Sequence, residues 1–207
     1  MKSVVAAKQE QSTRDRIVAC ARLEIEEFGI LGLRLDGVSR RANISIPLIY
    51  RYFGGRDGLL AAALGDWYQE WTDFYQSMVE DWLKNADSIS LEDFAKLSPK
   101  PKQRQFKKAR EFRLQVLATA VENGELRARV SAITSSSFDW TRSVVKRGRE
   151  LLPYEDRHFD ERIFTQLLFN LMFVFSDLVP QATMSDEEYA EFLVRLIRSN
   201  SRSHLPG

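Results

Sequence analysis

Residues 33–53, LRLDGVSRRANISIPLIYRYF, predict two short helices joined by a tight turn. The helices cover residues 35–42 and 46–53. Asn43 lies where the chain needs a left-handed conformation, which asparagine adopts more readily than most residues other than glycine. Ser45 has the residue type and position of an N-cap for the second helix. The stretch therefore has the form of a helix–turn–helix.

The second of these helices carries basic and aromatic side chains behind its N-terminus. Pro47 falls in the first turn, where a missing N–H costs little, and the positive end of the helix dipole points outward toward any anion. Tyr50 and Tyr52 can donate hydroxyl groups to phosphate oxygens. Arg51 can reach a base edge or a phosphate, and Arg56 can hold a phosphate just past the helix. This pattern predicts binding in the major groove of DNA.

Charge is distributed unevenly along the chain. Residues 1–56 hold ten Lys and Arg against six Asp and Glu, whereas the rest of the 207-residue chain holds twenty against twenty-three. Such a basic segment on a slightly acidic body favours contact between the N-terminal end and phosphate. A solvated basic surface is the alternative, and the position of the excess at the helix–turn–helix favours DNA.

Several classes of protein are disfavoured by composition. The single cysteine, Cys20, excludes an intramolecular disulfide and suits the cytoplasm. No apolar run reaches the roughly 18 residues that a membrane span needs. Two histidines and one cysteine, far apart, indicate neither a metal site nor a cofactor. Because no acid–base or nucleophile pair is recognisable, we do not expect an enzyme.

Helical periodicity dominates the whole chain and predicts an all-α fold of about nine helices. We expect a DNA-binding domain over residues 1–56, with a mobile arm over residues 1–12, and a helical effector-binding and dimerisation domain over residues 57–207. The predicted helices cover residues 13–28, 35–42, 46–53, 56–84, a short segment from 91 that ends before Pro99, 103–122, 125–151, 159–179 and 186–198.

The N-terminal residues resemble the DNA-binding pattern of the tetracycline-repressor (TetR) family of transcription factors. The resemblance covers roughly residues 13–60, a little over a quarter of the chain. Its matching positions are Ile17 with Ala21, Gly29, Leu35 with Val38, the turn at 42–45, the Tyr-Arg-Tyr-Phe run at 50–53, and Arg56 with Leu59 and Leu60. The resemblance implies a three-helix DNA-binding domain followed by a helical ligand-binding body.

The chain departs from the family pattern at several DNA-facing positions. Leu33 replaces the usual threonine that touches phosphate, and Ile46 with Pro47 replaces a common Lys-Gly pair. An apolar contact to a thymine methyl becomes possible there, and Leu48 occupies a position that faces DNA in the family. The positive charge would then come from other cations of the same domain, namely Arg34, Arg40 and Arg51. We expect an altered operator preference with DNA binding intact.

The body is rich in aromatic residues, which line either an apolar ligand cavity or an ordinary core. The family resemblance implies that a cavity exists. Polar residues at suitable helical phase would orient the ligand within it. The predicted ligand-binding residues are Trp71, Tyr75, Phe112, Gln115, Trp140, Asn170 and Phe173.

These features predict a repressor that binds a palindromic operator as a homodimer and is released by a small apolar or aromatic effector. The dimer would form through the helices predicted at residues 159–179 and 186–198, whose apolar faces exceed what one subunit covers. Three alternatives stay open. The chain could be an activator, a ligand-independent regulator of the same family, or a helical small-molecule or lipid carrier with a vestigial DNA-binding unit.

Overall fold

The computed structural model describes residues 2–96, 107–171 and 185–202. Within these ranges it contains helices and no strand, which confirms the prediction of an all-α fold. The helices are α1 (Lys2–Phe28), α2 (Leu35–Ala42), α3 (Ile46–Phe53), α4 (Arg56–Lys84), α5 (Leu91–Lys96), α6 (Lys107–Glu122), α7 (Gly124–Leu151), α8 (Glu161–Leu171) and α9 (Asp186–Arg202), with a 3-10 turn at Tyr154–Asp156.

Helices α2, α3 and α4 have the predicted bounds because local backbone signals fix their ends. Asn43 ends α2 with φ 50°, the left-handed conformation expected of it. Gly54 ends α3 with φ 70°, a value that glycine adopts without steric cost. The predicted start of α1 at Thr13 is wrong, since the helix begins at Lys2. Residues 2–12 lack apolar periodicity but are rich in Lys, Gln and Ala, which favour helix, so the expected mobile arm is helical.

Serine caps begin two of the later helices. The Ser90 hydroxyl accepts the backbone N–H of Asp93 at 3.0 Å at the start of α5. Ser185 accepts the N–H of Glu188 at 3.1 Å, and the Glu188 carboxylate accepts the N–H of Ser185 at 2.6 Å. This reciprocal pair is a capping box that fixes the start of α9. Helix α9 then continues past the predicted end at Arg198.

Helix α8 is shorter within the described residues than the helix predicted at 159–179, whose part from residue 172 lies outside them. Asp160 caps it by accepting the N–H groups of Arg162 at 2.8 Å and Ile163 at 3.3 Å. The Arg162 side chain and these N–H groups lower the pKa of Asp160 to about 2. The described part of α8 has both buried and open positions, since Phe164 and Leu168 are buried whereas Ile163 is 68% exposed and Asn170 is also exposed.

The chain divides into two compact units, residues 1–71 with 112–133 and residues 72–111 with 134–207. The predicted division at residue 56 concerns function and stays a prediction. In the part of the chain that the structure describes, no helix is long and apolar enough to span a membrane.

The core of the first unit is built from α1 to α4 together with parts of α6 and α7. Val38, Ala42 and Ile49 are buried, and Leu35 and Phe53 are half-buried against the same core. The other helices contribute further buried side chains, among them Ile17, Ala21, Leu59, Leu64, Val116 and Leu126. Helices α2 and α3 are therefore fixed by apolar packing, which is the main stabilising term for such short elements.

The second unit contains an ion pair that joins two of its helices. Arg147 of α7 donates to the Glu80 carboxylate of α4 at 2.6 and 2.8 Å, and Trp140 donates its Nε1–H to the same carboxylate at 2.8 Å. The hydrogen bond from Arg147 lowers the pKa of Glu80 from its ordinary value. The ionised carboxylate of Glu80 thus joins α4 to α7.

Candidate nucleic-acid interface

Helix α3 has one side fixed in the core and one side open to solvent. Ile49 is 0% exposed, whereas Ile46 is 36% and Tyr50 is 54% exposed. Pro47 and Arg51 are also exposed. Positions 46, 47, 50 and 51 are neighbours on a helical surface because one turn contains 3.6 residues. We call these four residues the outer face of α3.

The turn before α3 is held by a serine that differs from the predicted one. Ser45 occupies the N-cap position, as predicted, but its hydroxyl makes no capping hydrogen bond. The Ser39 hydroxyl instead donates to the Ile44 carbonyl at 2.5 Å, and the Ser39 carbonyl accepts the Ile44 N–H at 3.1 Å. The side chain of Ser45 is exposed beside the outer face of α3.

Two predicted DNA contacts lie to the side of the outer face. Tyr52 is half-buried against the core of the first unit, with its ring centroid 6.2 Å from that of Phe53. Leu48 is also half-buried. Their contact with DNA stays a prediction, and only part of each side chain is available for it.

Two arginines at the start and on the surface of α2 border a groove of about 590 Å³ in the first unit. Arg34 is exposed at the N-cap of α2, and Arg40 is exposed with its guanidinium 3.4 Å from the Asp36 carboxylate. Both positions suit contact with a phosphate chain, which stays a prediction. The groove is lined by Glu24, Phe28, Gly32, Arg34, Gly37, Arg40 and Arg41.

Another arginine of α2, Arg41, is paired with carboxylates of α1. Arg41 donates to the buried carboxylate of Glu24 at 2.8 Å and also pairs with Glu27. The hydrogen bond that Arg41 donates to Glu24, followed by the one to Glu27, raises the pKa of Arg41. Glu24 also lies against Gly37, where an added Cβ atom would be 2.0 Å from Oε1. This pair joins α1 to α2.

Arg56 contacts the loop between α1 and α2. Its Nε donates to the Leu33 carbonyl at 3.0 Å, and its Nη2 donates to the Ile30 and Leu31 carbonyls at 2.9 and 3.3 Å. Asp57 lies 3.7 Å from the same guanidinium. The predicted phosphate contact of Arg56 is untested, whereas these bonds give it a role within the fold that nothing in the sequence indicated.

Sequence reasoning also missed Arg14, which lies near the end of α3. Its guanidinium carbon is 5.4 Å from the centroid of the Phe53 ring, a distance typical of a cation–π contact. The contact joins α1 to the end of α3. No local pattern marks it, because the two residues are far apart in the chain.

The predicted ligand-binding residues belong to both units and are described within each. In the first unit, the Phe112 ring packs against Trp67 at a tilt of 42° with centroids 4.0 Å apart, Trp71 is half-buried and Gln115 is exposed. In the second unit, Tyr75 meets Trp140 edge-on at 6.3 Å.

The polar members of the predicted ligand set lie on surfaces. Asn170 is exposed and accepts the Gln166 side-chain amide at 2.8 Å, and Gln115 is likewise exposed. Neither is enclosed by its own unit, and Phe173 lies outside the described residues. Among the described residues, no group of three His, Cys, Asp or Glu side chains is placed to hold a metal ion. The ligand assignment stays a prediction.

Comparison with known proteins finds a family model that matches the helix–turn–helix. Residues 17–63 match the model of the bacterial regulatory proteins of the tetR family. The HTH-type transcriptional repressor SCO4008 of Streptomyces coelicolor is 35% identical over 60 residues, which are 29% of this chain and 31% of that protein. The chain thus matches less than a third of the length of the curated relatives.

Solved structures share the fold over most of the chain. A TetR-family transcriptional regulator from Rhodococcus sp. superposes with a TM-score of 0.58 at 20% identity, covering 92% of this chain and 99% of that one. The regulator FadR of Bacillus subtilis, solved with stearoyl-CoA, has a TM-score of 0.53 at 16% identity and covers 89% and 97%. At these identities the likeness concerns the fold.

Proposed function

We propose that this chain, whose residues 17–63 match the model of the bacterial regulatory proteins of the tetR family, is a ligand-responsive transcriptional repressor. It binds a palindromic operator as a homodimer through α3 and is released by a small apolar or aromatic effector. The observation that carries the proposal is the outer face of α3, which combines a cation, an aromatic hydroxyl and two apolar residues on a helix fixed from behind by Ile49.

The outer face supplies each kind of contact that sequence-specific binding needs. Arg51 can donate to a guanine edge, and Tyr50 can donate its hydroxyl to a phosphate oxygen. Ile46 and Pro47 at the first turn offer apolar surface to a thymine methyl group. Because this first turn lacks the cation common in the family, we expect the operator preference to depend on it.

Homodimerisation rests on apolar side chains that one chain leaves uncovered in the second unit. Ile163 of α8 is 68% exposed and Phe192 of α9 is 46% exposed. Apolar surface of this kind is typically covered by a partner, and a two-fold dimer uses the same surface of both subunits. Two α3 helices about 34–36 Å apart would then enter successive major grooves.

An apolar or aromatic effector is supported by aromatic pairs in each unit, Trp67 with Phe112 and Tyr75 with Trp140. FadR of Bacillus subtilis, which shares the fold, was solved with an acyl-CoA. An effector that binds more tightly to a conformation whose α3 helices do not fit the operator lowers the population of the DNA-binding conformation. The size of that shift is set by its difference in affinity for the two states.

The proposal is tested by fluorescence anisotropy with DNA from the region upstream of the chain's own gene and with a shuffled sequence. We expect tight, salt-dependent binding that prefers the upstream DNA. Arg51→Ala should weaken binding to the preferred sequence by about 1–3 kcal/mol and should reduce the preference over shuffled DNA.

The matched control is Arg142→Ala, which removes an exposed arginine of α7 in the second unit. It should leave both affinities unchanged. Wild-type protein that binds neither DNA would favour the carrier, and an Arg51→Ala variant that behaves like Arg142→Ala would show that the site is misassigned.

A further inference from the structure

The first turn of α4 is tied to two distant parts of the first unit by adjacent residues. Arg56 donates three hydrogen bonds to carbonyls of the loop at residues 30–33, which connects α1 to α2. The next residue, Asp57, is bound through its backbone carbonyl by Asn123 at 2.9 Å. The same helical turn therefore contacts the helix–turn–helix and the junction between α6 and α7.

Asn123 uses both ends of its side-chain amide. Its Oδ1 accepts the N–H of Leu126 at 2.9 Å and so caps α7, while its Nδ2 donates to the Asp57 carbonyl. An amide supplies an acceptor and a donor on separate atoms, so one side chain can make both bonds. Asn123 thus joins α7 to α4 across a sequence separation of 66 residues.

The same turn of α4 also lies directly against the end of α3. A Cβ atom added at Gly58 would be 1.9 Å from the Phe53 carbonyl oxygen and 3.3 Å from Oε2 of Glu125. Glycine is therefore required for this approach. A displacement of the turn would be transmitted to α3 by contact and to α2 through the loop at residues 30–33.

We propose that Arg56 and Asn123 are positioning residues for DNA binding. They fix the first turn of α4, and this turn holds α2 and α3 in the orientation that binds the operator. Arg56 acts on the carbonyls of the loop at residues 30–33 and not on a phosphate. The proposal rests on the proposed function and adds residues to it that do not touch DNA.

The first test separates the two roles of Asn123. Asn123→Asp keeps the acceptor that caps α7 and removes the donor to the Asp57 carbonyl. The matched control is Asn85→Asp, which removes a donor to the Asp81 carbonyl, at 2.6 Å in the second unit, and adds the same charge. We expect Asn123→Asp to weaken binding to the preferred upstream DNA about fivefold, the typical effect of one hydrogen bond. Asn85→Asp should leave that affinity unchanged, and both variants should keep the wild-type thermal midpoint to within a few degrees.

The second test asks whether Arg56 touches phosphate. Arg56→Gln should weaken binding to a similar extent without changing the slope of log K against log salt concentration. A lost phosphate contact would reduce the magnitude of that slope by about 0.9. The double variant, with Asn123→Asp and Arg56→Gln together, should bind the preferred DNA with about the affinity of the single variant that binds it more weakly. The losses do not add because both changes release the same turn of α4.

Three results would overturn the proposal: unchanged operator affinity in Asn123→Asp, additive losses in the double variant, or a reduced salt slope in Arg56→Gln. Amide hydrogen exchange separates this proposal from the proposed function, since it needs no DNA. Asn123→Asp should speed exchange at Gly32 and Leu33, whose N–H groups bond within the loop, about fivefold. If the wild-type protein showed no operator preference but Asn123→Asp still exchanged faster at these two residues, the proposed function would be refuted and the coupling would stand. If exchange in Asn123→Asp were unchanged, the coupling itself would be refuted.

Discussion

Replacing each isoleucine of α3 by alanine should separate folding from DNA recognition. Ile49 lies in the core and is 0% exposed, whereas Ile46 lies on the outer face and is 36% exposed, although the two residues are only three positions apart on the same helix. A fully buried isoleucine that is shortened to alanine leaves a cavity and costs about 2–5 kcal/mol. For a chain of this size, a loss of about 3 kcal/mol lowers the thermal midpoint by about 6–12 °C.

Ile49→Ala should therefore unfold at a clearly lower temperature yet keep the wild-type preference for operator DNA where it is folded. Ile46→Ala should unfold within about 3 °C of the wild type, since it loses less than about 1 kcal/mol of burial. It should lose discrimination at one base pair of each half-site. Circular dichroism gives the midpoints, and anisotropy with a panel of single-base variants gives the preference.

Two outcomes would refute this assignment of faces. If Ile46→Ala destabilised the protein as much as Ile49→Ala, then the first turn of α3 would belong to the core. If Ile49→Ala changed the preferred bases at a temperature where it is fully folded, then the buried side of α3 would take part in recognition directly.

Three other substitutions test the ion pairs that shape each unit. Gly37→Ala should lower the free energy of unfolding by about 1–3 kcal/mol in urea titrations, because the new Cβ atom would lie 2.0 Å from Oε1 of Glu24. Glu24→Gln should cost about 1–3 kcal/mol in the same assay, since it removes the charged acceptor of Arg41. Glu80→Gln should destabilise the protein at neutral pH. Arg147 lowers the pKa of Glu80 below its ordinary 4.5. The wild type should therefore have a higher free energy of unfolding than Glu80→Gln above pH 4.5, and this difference should be lost as the pH falls toward the lowered pKa. A constant difference across that range would contradict the role of the charge.

The helices around the turn were predictable because their ends depend on neighbouring residues. Asn43 and Gly54 adopt left-handed conformations that their residue types indicate, so the bounds of α2 and α3 follow from the sequence. The beginning of α1 was not predictable in this way. Residues 2–12 have no apolar period, and their helix-favouring composition is a weaker signal than periodicity.

The outer face of α3 was predictable from helical phase, but the roles of the surrounding polar residues were not. Arg56 contacts backbone carbonyls of a distant loop, and Asn123 contacts the carbonyl of Asp57. Because every residue has a backbone carbonyl group, the residue that accepts such a hydrogen bond cannot be recognised from its side chain. Asn170 lies on the surface of its own unit, so the ligand contact that helical phase suggested for it stays a prediction.

The central claim is that α3 reads a palindromic sequence as part of a homodimer. Selection of bound sequences from random duplex DNA by the full chain tests it most directly. We predict enrichment of an inverted repeat whose half-sites lie about 10 bp apart, centre to centre, and loss of that enrichment in Arg51→Ala. Enrichment of no sequence, of a single half-site, or of the same repeat by Arg51→Ala would contradict the claim.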